Sequence, residues 1–361
     1  MTTSDSLRKV VWEEQLFRDT VLNSYFMGRF AGQAPVNLNQ GAVNESTPND
    51  VIHIKENLAA KGRTGTRPGD KMYFGLIPRI SPSTYRGVTS GQKLKGKEVA
   101  LSWYNFSIEL ERYRQAVSGG SPMDWQRASF DMPTESRNAL LNWGVEMCDL
   151  LCVEALDASP TSTFYTASGT LTRTATYATA KGAITSTDKL TPELVSFVKT
   201  WAKTGGGRST AGQYPIRPIM VEGKPYYVLV VYPDCLYDWA NDPTVAQAHR
   251  EALERGKDNP IFKGASYIWD GVVIHEYEGI TIGADAGSGS NVPYAHAHLL
   301  GAQSLVWAWG ERPSIVEDTE DYEEDLFYAW RMTAKAAKPT FNSIDYGSVS
   351  VCVARTNVSG A

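Results

Sequence analysis

No stretch of this 361-residue chain is apolar for long enough to cross a bilayer as a helix. The longest aliphatic run, Val228 to Val231, falls far short of the ~20 residues required. Cysteine is scarce: the four, at 148, 152, 235 and 352, follow no regular spacing, which excludes a disulfide framework and implies free thiols in a reducing compartment. An excess of one charge is missing as well. With 35 basic and 40 acidic residues the net charge is -5, which argues against a chain built to grip nucleic acid. The start, Met1-Thr2-Thr3-Ser4-Asp5, runs into an acidic amphipathic stretch and is not a signal peptide. A soluble protein made in a cytoplasm is expected.

Catalytic and cofactor motifs are also wanting. His296 and His298 are two apart, so on a strand they face one side and would make half of a zinc or iron site. No third ligand is signalled by spacing, and catalytic zinc needs three, so surface histidines near a loop are expected. Cys148 and Cys152 are i, i+4 on the apolar side of a helix and read as buried thiols. Gly205-Gly206-Gly207-Arg208-Ser209-Thr210 lacks the Gly-Lys-Ser/Thr ending of a phosphate loop and follows a helix rather than a strand. Seven acids fall within residues 317–325 (Glu317, Asp318, Glu320, Asp321, Glu323, Glu324 and Asp325), without the repeat or closing Glu of a calcium loop. They read as a solvated face or as a contact for a basic partner. No Gly-x-Ser-x-Gly elbow is present. The tryptophans, Trp143 and Trp201 among them, sit at apolar-periodic positions and belong in a core. No cofactor is expected.

What the chain does have is a long apolar helix over 134–156. Polar residues at Glu135, Asn138, Asn142, Glu146 and Asp149 trace one narrow stripe. Leu140, Leu141, Trp143, Val145, Met147, Cys148, Leu150, Leu151, Val153 and Leu156 cover the rest. Such a helix is ~35 Å long and packed on most sides. Pro133 suits its first turn, Asp131 or Thr134 its cap, and Ser159-Pro160 its stop. It reads as a spine for sheets drawn from both sides of the sequence.

Ahead of it, residues 7–30 carry Leu7, Val10, Val11, Leu16, Phe17, Val21, Leu22, Tyr25 and Phe26 at helical spacing, followed by a polar, aperiodic stretch to 50. Together they read as an arm that finds its partner elsewhere. Strand patterns over 51–56, 71–80 and 99–108 flank a polar segment, 81–97, that has no means of burying itself, so a projecting hairpin is expected. Lys93, Lys95 and Lys97 make its tip basic. After the spine, the Ser/Thr-rich residues 158–190 suggest a surface hairpin or loop. Thr191-Pro192-Glu193 opens a helix that Gly205 ends. Strands are expected at 216–222, 226–232, 272–277, 280–282, 299–309, 326–332 and 348–354, and a helix at 234–255. Segregated strands with a few helices make this an α+β chain.

Arm, long hairpin, spine helix, inserted α+β domain and returning strands, in that order, resemble the Hong Kong 97-type capsid fold. Locally, Ile52-His53-Ile54-Lys55-Glu56-Asn57-Leu58, Gly69-Asp70-Lys71, Leu94-Lys95-Gly96-Lys97-Glu98-Val99-Ala100-Leu101, Asp124-Trp125-Gln126-Arg127 and Trp143 resemble the N4-like family of phage major capsid proteins. So do Leu299-Leu300-Gly301-Ala302-Gln303-Ser304 and Phe341-Asn342-Ser343-Ile344-Asp345-Tyr346-Gly347. The resemblance implies an N-terminal arm (1–50) and an extended hairpin or E-loop (51–115). It implies a peripheral domain (116–205 and 311–361) that holds the spine and the 158–190 insertion, and an axial domain (206–310). It further implies a virion protein assembled in the host bacterial cytoplasm from copies of itself into hexamers and pentamers. The icosahedral shell of a tailed phage would enclose double-stranded DNA without reading its sequence and would make no membrane contact. Portal, scaffolding and cement or decoration proteins are the further partners implied. No scaffold-like segment precedes the arm, so a separate scaffolding protein, or none, is expected.

Charge complementarity suggests that Lys93, Lys95 and Lys97 meet Glu320, Asp321 and Glu323 of a neighbour. The tethered apolar face suggests that the N-terminal helix, with Trp12 and Phe17, crosses a subunit boundary. The competing readings are a tail-tube or decoration protein and a metal-dependent or carbohydrate-active enzyme.

Overall fold

A computed structural model of the chain describes residues 16–31, 50–56, 71–76, 87–96, 98, 104–129, 131–205, 215–221, 223–251, 265–320, 325–341 and 343–358. Residues 16–23 are helical and lead into α1 (Tyr25–Phe30). Then come β1 (Ile52–Glu56), β2 (Lys71–Leu76), β3 (Tyr104–Glu109), β4 (Glu111–Gly120), α2 (Pro122–Arg127) and the spine, α3 (Met132–Asp157). The middle of the chain holds β5 (Thr163–Ala167), β6 (Thr170–Thr174), α4 (Tyr177–Ala183), α5 (Pro192–Thr204), β7 (Ile219–Val221), β8 (Lys224–Val231), α6 (Pro233–Asn241) and α7 (Pro243–Glu251). It closes with β9 (Ala265–Trp269), β10 (Val272–Glu276), β11 (Ile282–Ala286), β12 (Val292–Leu300), β13 (Leu305–Glu320), β14 (Asp325–Ala337), β15 (Thr340–Phe341), β16 (Ile344–Asp345) and β17 (Ser348–Ala354).

The spine forms where its apolar pattern puts it. Pro133 occupies the first turn, and the Asp131 carboxylate takes a hydrogen bond from the Thr134 hydroxyl. The chain turns away at Ser159, whose φ is positive, just before Pro160. Ser136, Leu140, Gly144 and Cys148, at steps of four, form its buried ridge. Gly144 is required there, because a Cβ would lie 2.7 Å from the Trp330 indole. One expected polar position breaks the pattern: Asp149 is buried, not part of a solvated stripe.

Two sheets flank the spine. One has the order β1-β13-β14-β4, with β1 parallel to β13 and the other pairs antiparallel. It brings together strands from before and after the spine, as expected of a helix that organises both. Alternation gives β13 two buried faces. Trp307 and Trp309 join the core shared with the spine, while Val306 and Ala308 join Met72, Phe74 and Ile108 at the base of the β2–β3 hairpin. The larger sheet follows the path β6-β5-β17-β12-β8-β10-β9, with β11 on β12 and β7 on β8. Its other core lies beneath α5 and α6. α5 has the expected ends: the Thr191 hydroxyl accepts from the Leu194 N–H at 3.3 Å, and Gly205 is left-handed with φ 66°.

Several expectations need correction. Residues 16–30 are core, not an arm awaiting a neighbour. Leu16, Phe17, Val21, Phe26, Met27 and Phe30 are buried, and Phe17 meets Trp309 edge-on at 5.6 Å. Their aromatic surface finds its cover within the chain. Residues 158–190 are more than surface. Ser168 and Gly169, both with positive φ, make the tight β5–β6 turn, and β5 is buried because it pairs in parallel with β17. β5 and β17, expected with residues 116–205 and 311–361, therefore hydrogen-bond into the sheet of the 206–310 strands. All of β17 is buried, and a strand with two covered faces takes an interior place. The helix expected over 234–255 breaks at Pro243, which has no N–H to donate and drives Asp242 to an extended ψ of 128°. The strand expected over 299–309 is two strands in different sheets. Between them Gly301 passes so near Ile216 and the Arg217 carbonyl that a Cβ would clash at 2.5 and 2.6 Å.

Candidate assembly surfaces and a buried polar joint

The hairpin is anchored at its base and bare at its tip. β2 and β3 pair from Lys71 opposite Glu109 to Leu76 opposite Tyr104, with the apolar residues of one face against β13. Beyond them, Gly87, Gly91 and Gly96 adopt φ values of 77°, 93° and 88°, so the segment turns repeatedly. Lys93 and Lys95 are exposed, and Leu94 between them is 63% exposed. Lys97 lies outside the described residues. At the far end of β13, Glu317, Asp318 and Glu320 are exposed, while Asp321 and Glu323 lie outside the described residues. Glu317 is held by Arg137 of the spine, whose guanidinium sits 4.8 Å from the Tyr328 ring. Among the described residues the ion pair of this acidic end is Glu317 with Arg137, and none joins it to Lys93 or Lys95.

The N-terminal segment is fastened by a buried carboxylate. The Ser24 hydroxyl donates to Asp149 Oδ1 at 2.6 Å, the Phe26 N–H to the same oxygen at 3.0 Å, and the Tyr25 N–H to Oδ2 at 2.9 Å. The Ser24 hydroxyl in turn accepts from the Met27 N–H at 3.3 Å. Two orphan donors of α1 are thus satisfied by a residue 123 or more positions away. Tyr25 adds a stack on Tyr277 at 4.3 Å and a hydrogen bond to the Glu276 carbonyl at 2.7 Å. Burial pushes the Asp149 carboxyl up, and these donors only partly offset it. Phe17, expected at a subunit contact, is part of this internal packing. Trp12 lies outside the described residues.

His296 and His298 are buried, not surface histidines, and both point at Asp157 in the last turn of the spine. His296 Nδ1 is 2.7 Å and His298 Nε2 3.2 Å from the same Oδ1. The Thr281 hydroxyl donates to the other oxygen. Burial alone would raise the Asp157 carboxyl; the two imidazoles outweigh it and hold it well below the ordinary carboxylate range. Among the described residues no group of three or more His, Cys, Asp or Glu is arranged to hold a metal. The same helix end is gripped again by Lys338, which donates to the Ala158 carbonyl at 2.8 Å and pairs with Asp345 at 3.2 Å. Cys148, Cys152, Cys235 and Cys352 are all buried free thiols, as the sequence indicated for the first two. Their burial raises them and leaves them poor nucleophiles.

The fold, a spine helix between two sheets, matches chains of solved phage capsids. The capsid of Ralstonia phage GP4 matches with a TM-score of 0.73 at 24% identity, over 93% of this chain and 92% of that one. A cyanophage Pam1 capsid chain gives 0.65 at 20% identity, over 91% and 95%. The capsid of Helicobacter pylori bacteriophage KHP30 gives 0.63 at 13% identity, over 85% and 88%. The fold is thus that of Hong Kong 97-like capsid subunits. In sequence, the model of the phage capsid protein family matches residues 4–350. The major capsid protein of Pseudomonas phage KPP25 is 26% identical over 385 residues, which span 96% of this chain and 95% of that protein. The chain belongs to the phage capsid protein family. It is a bacteriophage major capsid protein, a structural subunit of the virion rather than an enzyme.

Proposed function

We propose that this subunit builds the icosahedral head of a tailed, double-stranded DNA phage of the N4-like group, as hexamers and pentamers assembled in the host cytoplasm. The observation that carries the reading is the hairpin tip: Lys93, Leu94 and Lys95 are exposed on a turning segment, 87–96, in which no described residue is buried. Such a tip gains stability by burying area against another copy. The acidic end of the β13–β14 pair, with Glu320 and the neighbouring Asp321 and Glu323, has the complementary charge, and Lys97 extends the basic side. Packaged DNA is held by confinement rather than by sequence-specific contacts, consistent with the net charge of -5. Portal, scaffolding and decoration proteins are the other partners of such a head.

Negative-stain microscopy of the expressed chain over a salt series tests this. Closed shells, or discrete hexamers and pentamers, are expected. Reversal of charge at Lys93, Lys95 and Lys97 together should impair assembly and flatten its salt dependence. Tubes in place of shells refute the head reading, and unchanged assembly in the triple variant refutes the lysine contact.

A further inference from the structure

The convergence of His296 and His298 on Asp157 has chemistry that packing alone does not use. A carboxylate only accepts hydrogen bonds, so His296, bonded to Asp157 through Nδ1, presents a proton on that nitrogen. His298 Nε2 lies 3.2 Å from the same carboxylate oxygen without meeting hydrogen-bond geometry, and both of its ring nitrogens are buried with no hydrogen-bond partner among the described residues. His298 is 1% exposed and lies in register with Val230 of β8 and Ser350 of β17. The other groups around the pair come from every element packed there. The Tyr177 ring of α4 stacks on His296 at 3.7 Å with 5° between planes, and Tyr294 lies 5.6 Å away. Cys352 of β17 is opposite His296, and Thr281 shares Asp157. Lys338 and Asp345 form their buried pair at the same helix end. Lys181, 5.2 Å from the Tyr294 ring, is paired with Asp285.

The local charges set a limit. One proton beyond the neutral imidazoles makes one histidine a cation, and with Lys338 it balances Asp157 and Asp345. A second proton leaves three cations against two anions where His296, His298, Lys338 and Asp345 are all buried. It also puts a hydrogen on both buried ring nitrogens of His298, with no hydrogen-bond acceptor in place for either among the described residues. We propose that this cluster is an acid-release joint: near neutral pH it fastens the end of the spine helix to the large sheet, and on acidification it lets the helix end and α4 come away from β12. The direction of the His298 equilibrium agrees. Burial, with help from His296 and Lys338, holds it below the ordinary imidazole range against the pull of Asp157. An imidazole kept neutral in the folded chain and charged in the unfolded one gives stability that is present above about pH 6.5 and is lost as the pH falls below it.

Hydrogen–deuterium exchange of the full wild-type chain at about pH 7.5 and about pH 5, corrected for intrinsic rates, reads the joint directly. Peptides over 155–162, 177–184 and 292–300 should gain about tenfold in exchange relative to peptides from α5 and from β13–β14. A response spread evenly over the chain, or absent from those three segments, overturns the proposal. His298→Gln keeps a polar side chain that does not titrate. It should retain the neutral-pH pattern and lose the selective acid response. A folded His298→Gln protein that loosens on acidification as the wild type does also overturns it. Should that variant fail to fold, the wild-type exchange pattern decides by itself.

Discussion

Asp149 and Asp157 stand on one helix about two turns apart, and each ties a distant segment to it, yet their surroundings push them in opposite directions. Asp149 is held by a hydroxyl and two backbone N–H groups, donors that do not titrate near neutral pH. Desolvation wins there and its carboxyl is raised. Asp157 is held by two imidazoles, and its carboxyl is lowered despite its burial. The lesson is that a helix can fix two neighbours through the same residue type and give the two latches opposite dependence on pH. The choice of donor decides the direction of each.

The largest effect that separates the two is expected from Asp149→Ala, which strips α1 of its three hydrogen bonds. A loss of about 3 kcal/mol should appear in urea unfolding, together with new protease cleavage within residues 16–31. Asp149→Asn keeps an acceptor and should cost less. Next comes Gly144→Ala, whose added methyl meets the Trp330 indole; about 2 kcal/mol of destabilisation is expected by thermal melting. It disturbs the helix without touching either carboxylate, so the pH profile should keep its shape. A changed profile would mean that the two anchors depend on helix position and are not local.

The pH profile itself sharpens the contrast. A raised folded-state value for Asp149 means that its stabilisation is present below about pH 3.9 and is lost as the pH rises through the folded value. A lowered value for Asp157 means that its stabilisation is present above about pH 3.9 and is lost as the pH falls. Asp149→Asn should therefore remove a downward slope of stability with pH just above that point, and Asp157→Asn an upward slope below it. Urea midpoints across the acid range measure both, and identical slopes in the two variants would end the comparison. The smallest effect belongs to Arg137→Ala at the other end of the helix. Its pair with Glu317 is only partly buried, and the change should cost about 1 kcal/mol.

The spine, α5 and the hairpin were legible because their signals are local: apolar period, Thr191-Pro192, Gly205, a polar segment between two strand patterns. The anchors were not, because each joins residues over a hundred positions apart. Asp149 fits a polar stripe until Ser24 is known to face it. His296 and His298 look superficial in a short window, although the apolar run of Ala295, Ala297, Leu299 and Leu300 around them marks a strand covered on both faces. The N-terminal segment was misread for a similar reason. Its aromatic residues signalled a large burial, but their partners, Trp309 and Tyr277, are more than 200 positions downstream.

The place of β17 bears on how the protein is made. It lies between β5 and β12 and joins an early hairpin to the rest of the large sheet. A ribosome delivers β5 some 180 residues before β17, as the 184-residue spacing between Thr161 and its hydrogen-bonded partner Asp345 illustrates. Until residues 348–354 emerge, β5–β6 and β12 have no bridge between them, and both keep open edges. A nascent subunit therefore has an unfinished large sheet until β17 is made. A chain that stopped short of Ser348 would lack the bridging strand and leave the edges of β5 and β12 open to pairing with other chains.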